Sequence, residues 1–169
     1  VQRGYSTRTL HENLWLTVAC CLGSVVFFAS VRGEVWFTAL VFGLTFNLCF
    51  ALAALDTRHP ILAGLMLGLG MATRTPIAFC FVFFAWQLFF PAGRLKLARW
   101  STILSRGSQF ALPILLCGGL LIAYNLARFD QPTEFGHSLL GGGAGRRIRD
   151  HGLFNFFYLN GNLAAALVN

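Results

Sequence analysis

Three stretches of about 20 predominantly apolar residues, 13–31, 35–55 and 109–127, each match the length that a helix needs to cross the ~30 Å hydrocarbon core of a bilayer. That pattern leaves few folds open. Composition agrees with it: of 169 residues 56% are hydrophobic and 11% are charged, and the mean hydropathy is +0.65. A globular domain carries roughly 25% charged residues, so this chain lacks the polar surface to stay in solution. The expected fold class is all-α, a polytopic transmembrane helical bundle forming one membrane domain over 1–169. The sequence starts at Val1 without Met and stops at Asn169 as another apolar run, 153–168, gets under way. It therefore reads as an internal piece of a longer protein.

The net charge of +7 does not point to nucleic acid. Basic residues sit in the short connections between apolar runs, where topology signals belong, so membrane lipids are the expected surroundings and nucleic acid is not an expected partner. Cys20, Cys21, Cys49, Cys80 and Cys117 all lie inside apolar runs. They read as small buried hydrophobes rather than a disulfide framework or a metal cluster. No serine–histidine–acid arrangement, Cys-x-x-Cys pair or HExxH motif is present, which leaves a hydrolase or redox enzyme without support. No metal-ligand set is expected.

One apolar stretch breaks the pattern. Residues 61–91 read "ILAGLMLGLGMATRTPIAFCFVFFAWQLFFP", with Arg74 in the middle. As one helix this would run about 46 Å, too long for the bilayer. Topology decides between one helix and two. The positive-inside rule places the N-terminal segment and the basic segment 92–108 on the cytoplasmic side. The first two spans form a hairpin, so Arg32-Gly33-Glu34 is expected outside and 56–60 inside. The stretch then starts and ends inside, which two short helices (61–73 and 77–91) satisfy and one long helix does not. Pro76 suits the turn, because the residue before a proline is pushed away from helical angles. The tip should stop below the outer surface, buried in protein or lining a watery cavity.

Ionisable groups at membrane depth are costly and are candidates for function. Arg74 is the sharpest, since a guanidinium stays charged and binds phosphate in bidentate fashion. Pairing with Glu34, capping of helix carbonyls and simple snorkelling are its structural alternatives. Glu34, at the outer end of the first hairpin, can orient a hydroxyl or ligate a cation, or can pair with Arg32. Gly64 and Gly68 form a small-xxx-small pattern suited to close helix packing. The run Gly141-Gly142-Gly143-Ala144-Gly145-Arg146-Arg147 lacks a P-loop ending and reads as a flexible outer loop within 128–152. Its arginines, with Arg149, run against the positive-inside bias and suit a phosphate or a lipid headgroup. His137 and His151 lack metal-ligand spacing.

The stretch "HPILAGLMLGLGMATRTPIAF" resembles the G-l-x-x-G-l-a-x-l-T-[K/R]-x-[P/G] block of polyprenyl-phosphate-dependent glycosyltransferases of the GT-C superfamily, among them the protein O-mannosyltransferases and the aminoarabinose transferases of lipid A. The stretch "AYNLARFDQPTEFGHSLL…HGLFNFFYLNGNLAAAL" is similar to the Y-N-x-x-R-F-G-x-P-x-E-F-G block of many bacterial members, with Asp130 where the family has glycine. The order and separation of the two blocks carry the match. The resemblance implies a multi-pass enzyme, expected in the bacterial inner membrane with its active face outward. It would move a sugar from a polyprenyl-phosphate carrier to an acceptor. Arg74 matches the basic residue implied to lie near the carrier phosphate. Glu34 falls by position near a second outer-loop acid, and Arg128 matches the arginine of the second block. The family's catalytic acid lies on an earlier outer loop, so the base is expected upstream of this sequence and no catalytic residue is assigned. A divalent metal in the full-length enzyme is left open. The competing expectation is a transporter or flippase subunit, whose broken helices would build an anion site at the hairpin tip. A structural membrane subunit is the third.

Overall fold

In a computed structural model of the chain, residues 7–91, 97–134, 136, 139, 141–152 and 155–167 are described. These are mostly helical, with no strand among them. The helices are α1 (Leu10–Leu22), α2 (Val25–Val31), α3 (Val35–Ala54), α4 (Pro60–Thr73), α5 (Phe81–Phe89), α6 (Trp100–Phe129), α7 (Gly142–His151) and α8 (Leu159–Leu167). Short 3₁₀ turns occupy Leu55–Thr57, Thr75–Cys80 and Phe156–Tyr158. The chain divides into two compact units, Val1–Gly118 and Gly119–Asn169, with the long helix α6 passing from the first into the second.

Two helices are long and apolar enough to cross a membrane: α3 with its 3₁₀ extension (Val35–Thr57) and α6. The count becomes three if α1 and α2 act as one bent span. Only 22% of the apolar window of the first and 17% of that of α6 are buried. So large an unburied apolar surface suits a lipid environment, because water-soluble proteins rarely expose such patches.

The first expected span, 13–31, is not one helix. α1 opens on a capping box, in which Thr9 Oγ1 accepts from the Glu12 N–H and the Glu12 carboxylate accepts from the Thr9 N–H at 2.7 Å. It ends at Gly23, and α2 leaves at a bend of 55°. Ser24 explains the break: its hydroxyl donates to the Cys20 carbonyl and accepts from the Val26 N–H. One side chain thus closes the first helix and caps the second.

The first unit packs around Phe50, Ala53, Ala54, Ala63, Leu67, Phe84, Leu88, Ile103 and Phe110. Helix directions follow from the glycine contacts. A Cβ added at Gly43 would meet Thr73, and one at Gly70 would meet Phe46, so α3 and α4 run antiparallel. Gly64 lies against Phe110 and Gly68 against Ile114 and Cys117, so α4 and α6 run the same way. Phe84 of α5 stacks on Phe110 with ring centroids 3.9 Å apart, and Leu88 lies beside Gly107, so α5 runs back against α6. Gly64 before the turn and Phe84 after it therefore stand at the same level, and α4 and α5 form a hairpin about Arg74. α4 is about 21 Å long.

The last spans differ in their ends. α6 begins at Trp100 rather than near 109, taking part of the basic segment into the helix, and continues through a buried Pro113. The Gly-rich stretch expected as a flexible loop is the helix α7. Within the expected apolar run 153–168, a 3₁₀ turn precedes α8; residues 153, 154 and 168, like Arg94, Lys96 and His137, lie outside the described residues.

Candidate functional site

The turn at Arg74 is built by Pro76. A helical proline there would press its ring on the carbonyl of Ala72, so α4 stops at Thr73 and Arg74 goes extended (φ −148°, ψ 105°). The Arg74 N–H still donates to the Gly70 carbonyl at 2.9 Å, and the Arg74 carbonyl accepts from the Ile77 N–H at 3.0 Å. Thr73 Oγ1 donates to the same Gly70 carbonyl at 2.7 Å. The tip is thus held by its own backbone and needs no side chain of Arg74 to close it.

That side chain is half-buried and lies along α3. Its Cγ is 3.8 Å from the point where a Cβ on Gly43 would stand. Its Nη2 donates to the Trp36 carbonyl at 3.4 Å, and Cζ lies 5.8 Å from the Trp36 ring centroid. Gly43 is roughly 12 Å below the start of α3 at 1.5 Å per residue. The backbone tip therefore sits well short of that end, and the guanidinium is carried up to the first turn of α3.

Glu34 is the N-cap residue of α3 but makes no side-chain cap. Its backbone carbonyl accepts from the N–H and hydroxyl of Thr38, and its carboxylate pairs with Arg32 Nη1 at 3.2 Å. Both partners are more than half exposed, so the pair contributes only about 0.2–1 kcal/mol. Arg32 also lies 4.7 Å from the ring of Phe28 and 5.8 Å from that of Phe37, two rings that meet edge to face. Among the described residues no carboxylate pairs with Arg74, so the expected alternative of an Arg74–Glu34 pair is not formed. Two guanidiniums and one carboxylate gather at the positive end of the α3 dipole. The local field favours an anion.

Glu34 offers one carboxylate, already engaged by Arg32, and that is no cage for a divalent cation. Among the described residues no group of three or more His, Cys, Asp or Glu stands together. Arg128 belongs to the second unit. Its Nη1 donates to the Tyr124 hydroxyl at 2.8 Å, and Cζ lies 5.1 Å from the Phe129 ring. Nearby Asn125, 2% exposed, donates to the Pro132 carbonyl at 3.2 Å. Asp130, which stands where the resembled sequence block has glycine, has φ +54°. The backbone therefore makes the left-handed turn that a glycine would allow there.

Sequence reasoning marked 56–60 as a polar connection but missed the clamp that holds it. Asp56 and Thr57 both have positive φ, 55° and 50°, which is rare for a β-branched residue. Arg106 of α6 donates to the Asp56 carbonyl at 3.2 Å and to the buried Thr57 hydroxyl. Comparison of the chain with protein-family models, with curated proteins and with solved structures finds no match.

Proposed function

We propose that the chain is part of a multi-pass membrane glycosyltransferase that moves a sugar from a polyprenyl-phosphate carrier to an acceptor on the outer face of the bacterial inner membrane. The observation that carries the reading is Arg74. It stands at the tip of a hairpin too short to cross, stretched to the positive end of α3 with no carboxylate of the described residues on it. The two sequence blocks that resemble the GT-C transferases support the same reading.

In the proposed reaction the acceptor oxygen attacks the anomeric carbon and the carrier leaves as polyprenyl phosphate. A carboxylate base must take the acceptor's proton, and no residue of this chain is assigned that role. This chain's contribution is electrostatic. Arg74 binds the carrier phosphate with its planar fork of donors and stabilises the charge that grows on the phosphate as the glycosidic bond breaks. Arg32 and Glu34 frame the same end of α3, with Glu34 available to a sugar hydroxyl. Arg128 is kept as a candidate phosphate ligand on the sequence resemblance alone.

The test is sugar transfer by the full-length protein. Arg74→Ala is expected to lower kcat/KM by about 100-fold or more, the scale of losing a buried-site cation from a transition state, while expression and membrane insertion stay normal. Arg74→Lys should restore part of the loss. Unchanged turnover in Arg74→Ala would remove the phosphate role. The alternative, a transporter or flippase subunit with an anion site at the same tip, draws on the 55° break between α1 and α2, since discontinuous helices also build transport sites. Movement of the carrier lipid between leaflets without sugar transfer would favour it.

A further inference from the structure

Neither the α3–α4 site nor the packed core uses the segment Gly142–His151. At 100° per residue, Arg149, Arg146 and Arg147 fan across one side of α7, and Gly145 and Ile148 fall on the other. The burial follows that division: Gly145 is buried and Ile148 half-buried, while the three arginines are exposed. One acid, Asp150, shares the arginine side. The helix is fixed at its C-terminal end. Gly152 takes φ +74°, and the Tyr158 hydroxyl lies 2.9 Å from the carbonyls of both Arg147 and Gly152. His151 stacks on Phe157 with centroids 4.0 Å apart, and Asn155 Nδ2 donates to the His151 carbonyl at 3.1 Å. This clip sets a strongly apolar stretch directly after the arginines. Phe156 is 90% exposed, and Phe157, Leu159, Leu163 and Leu167 are exposed as well.

We propose that the arginine side of α7 and the exposed ring of Phe156 form an interfacial platform that binds the anionic headgroups of a phospholipid bilayer. A fan of guanidiniums beside exposed aromatic and aliphatic side chains matches the two layers of a membrane surface, charged phosphates above and acyl chains below. Residues 130–141 alone separate α7 from the end of α6, a helix apolar and long enough to span, which keeps the platform near a membrane surface. The glycine run is not a free phosphate-binding loop, because Gly143 and Gly145 lie within the helix and Gly142, at φ +76°, only starts it. The platform also accounts for arginines in a segment where the topology expects few. This inference does not rest on glycosyl transfer, only on the chain lying in a bilayer.

The test uses the full protein in nanodiscs made from equal parts of phosphatidylglycerol and phosphatidylcholine, with a photo-crosslinking phenylalanine in place of Phe156. Mass spectrometry identifies the attached lipid. Each arginine near an anionic surface contributes about fivefold in affinity, so phosphatidylglycerol should be captured about tenfold or more over phosphatidylcholine. The preference should largely vanish in R146Q/R147Q, persist in R146K/R147K, and weaken in ~1 M salt, where the Debye length is about 3 Å. Equal capture of the two lipids by the unaltered arginines, or a preference that survives R146Q/R147Q, overturns the proposal. So does loss of the preference in both double variants, which would mark a structural role. Soluble inorganic phosphate at millimolar concentration should not compete, and full competition by it would replace the lipid surface with a free anion site.

Discussion

Arg74 is half-buried, and its position shows how a single side chain reconciles charge with an apolar setting. A guanidinium fixed at a bilayer centre costs about 2.5–3.5 kcal/mol on insertion scales, and extension toward a helix end recovers part of that by letting the head reach water. The stem runs past Gly43 and the head reaches Trp36. Two other residues hold unusual backbone angles and make stability predictions. Asp130 at φ +54° occupies a turn that costs most L-residues about 1–2 kcal/mol and glycine nothing. Asp130→Gly should leave the unfolding midpoint in detergent equal or higher, and Asp130→Val should lower stability by about 1–2 kcal/mol. Thr57, at φ 50° and 4% exposed, is held by Arg106. Arg106→Ala leaves a buried hydroxyl and a strained carbonyl without that donor, and denaturant or thermal unfolding should register a loss of about 1–3 kcal/mol. Arg74 was legible in the sequence because a charge inside an apolar run stands out. The Arg106 clamp was not, since it joins residues some fifty positions apart and neither end carries a local signature.

At the scale of elements, the hairpin turn was legible because Pro76 and the short first arm dictate it. The α1–α2 break was not, because Gly23 and Ser24 sit inside a run that stays apolar on both sides. α7 was misread as a loop because its glycines lower helix propensity by about 1 kcal/mol each, and the clip through Tyr158 and His151 overrides that preference. The small-xxx-small reading of α4 proved specific in a testable way. A Cβ at Gly64 would stand 2.1 Å from the Phe110 carbonyl oxygen, whereas Gly119 in α6 has nothing within 4 Å. Gly64→Ala should therefore force α4 off α6 and lower stability by about 1–3 kcal/mol or more. Gly119→Ala should raise it by up to about 1 kcal/mol. Unfolding of both variants in the same detergent compares the two directly.

At the scale of the molecule, the all-helical class and the presence of helices long and apolar enough to cross a membrane, α3 and α6, follow from composition and run length. What composition does not fix is the number of crossings, because α4 and α5 are apolar enough to enter a bilayer but each too short to span it. Their packing shows a hairpin: α4 runs with α6, α5 runs against it, and the turn between them sits beside α3 below its first turn. Both functional readings, transferase and transporter, require that this hairpin enter and leave by one side with Arg74 aimed at the other. The most direct measurement is labelling of single cysteines, in an otherwise cysteine-free full-length protein, with a membrane-impermeant reagent added outside intact cells. Exposed positions are needed, so Arg58→Cys serves where the buried neighbour Thr57 would not. The hairpin predicts labelling of Gly33→Cys and none of Arg58→Cys or Leu97→Cys until the membrane is opened. Labelling of Leu97→Cys from outside, with Arg58→Cys protected, would mean that the 61–91 stretch crosses the bilayer and would contradict the hairpin on which the site depends.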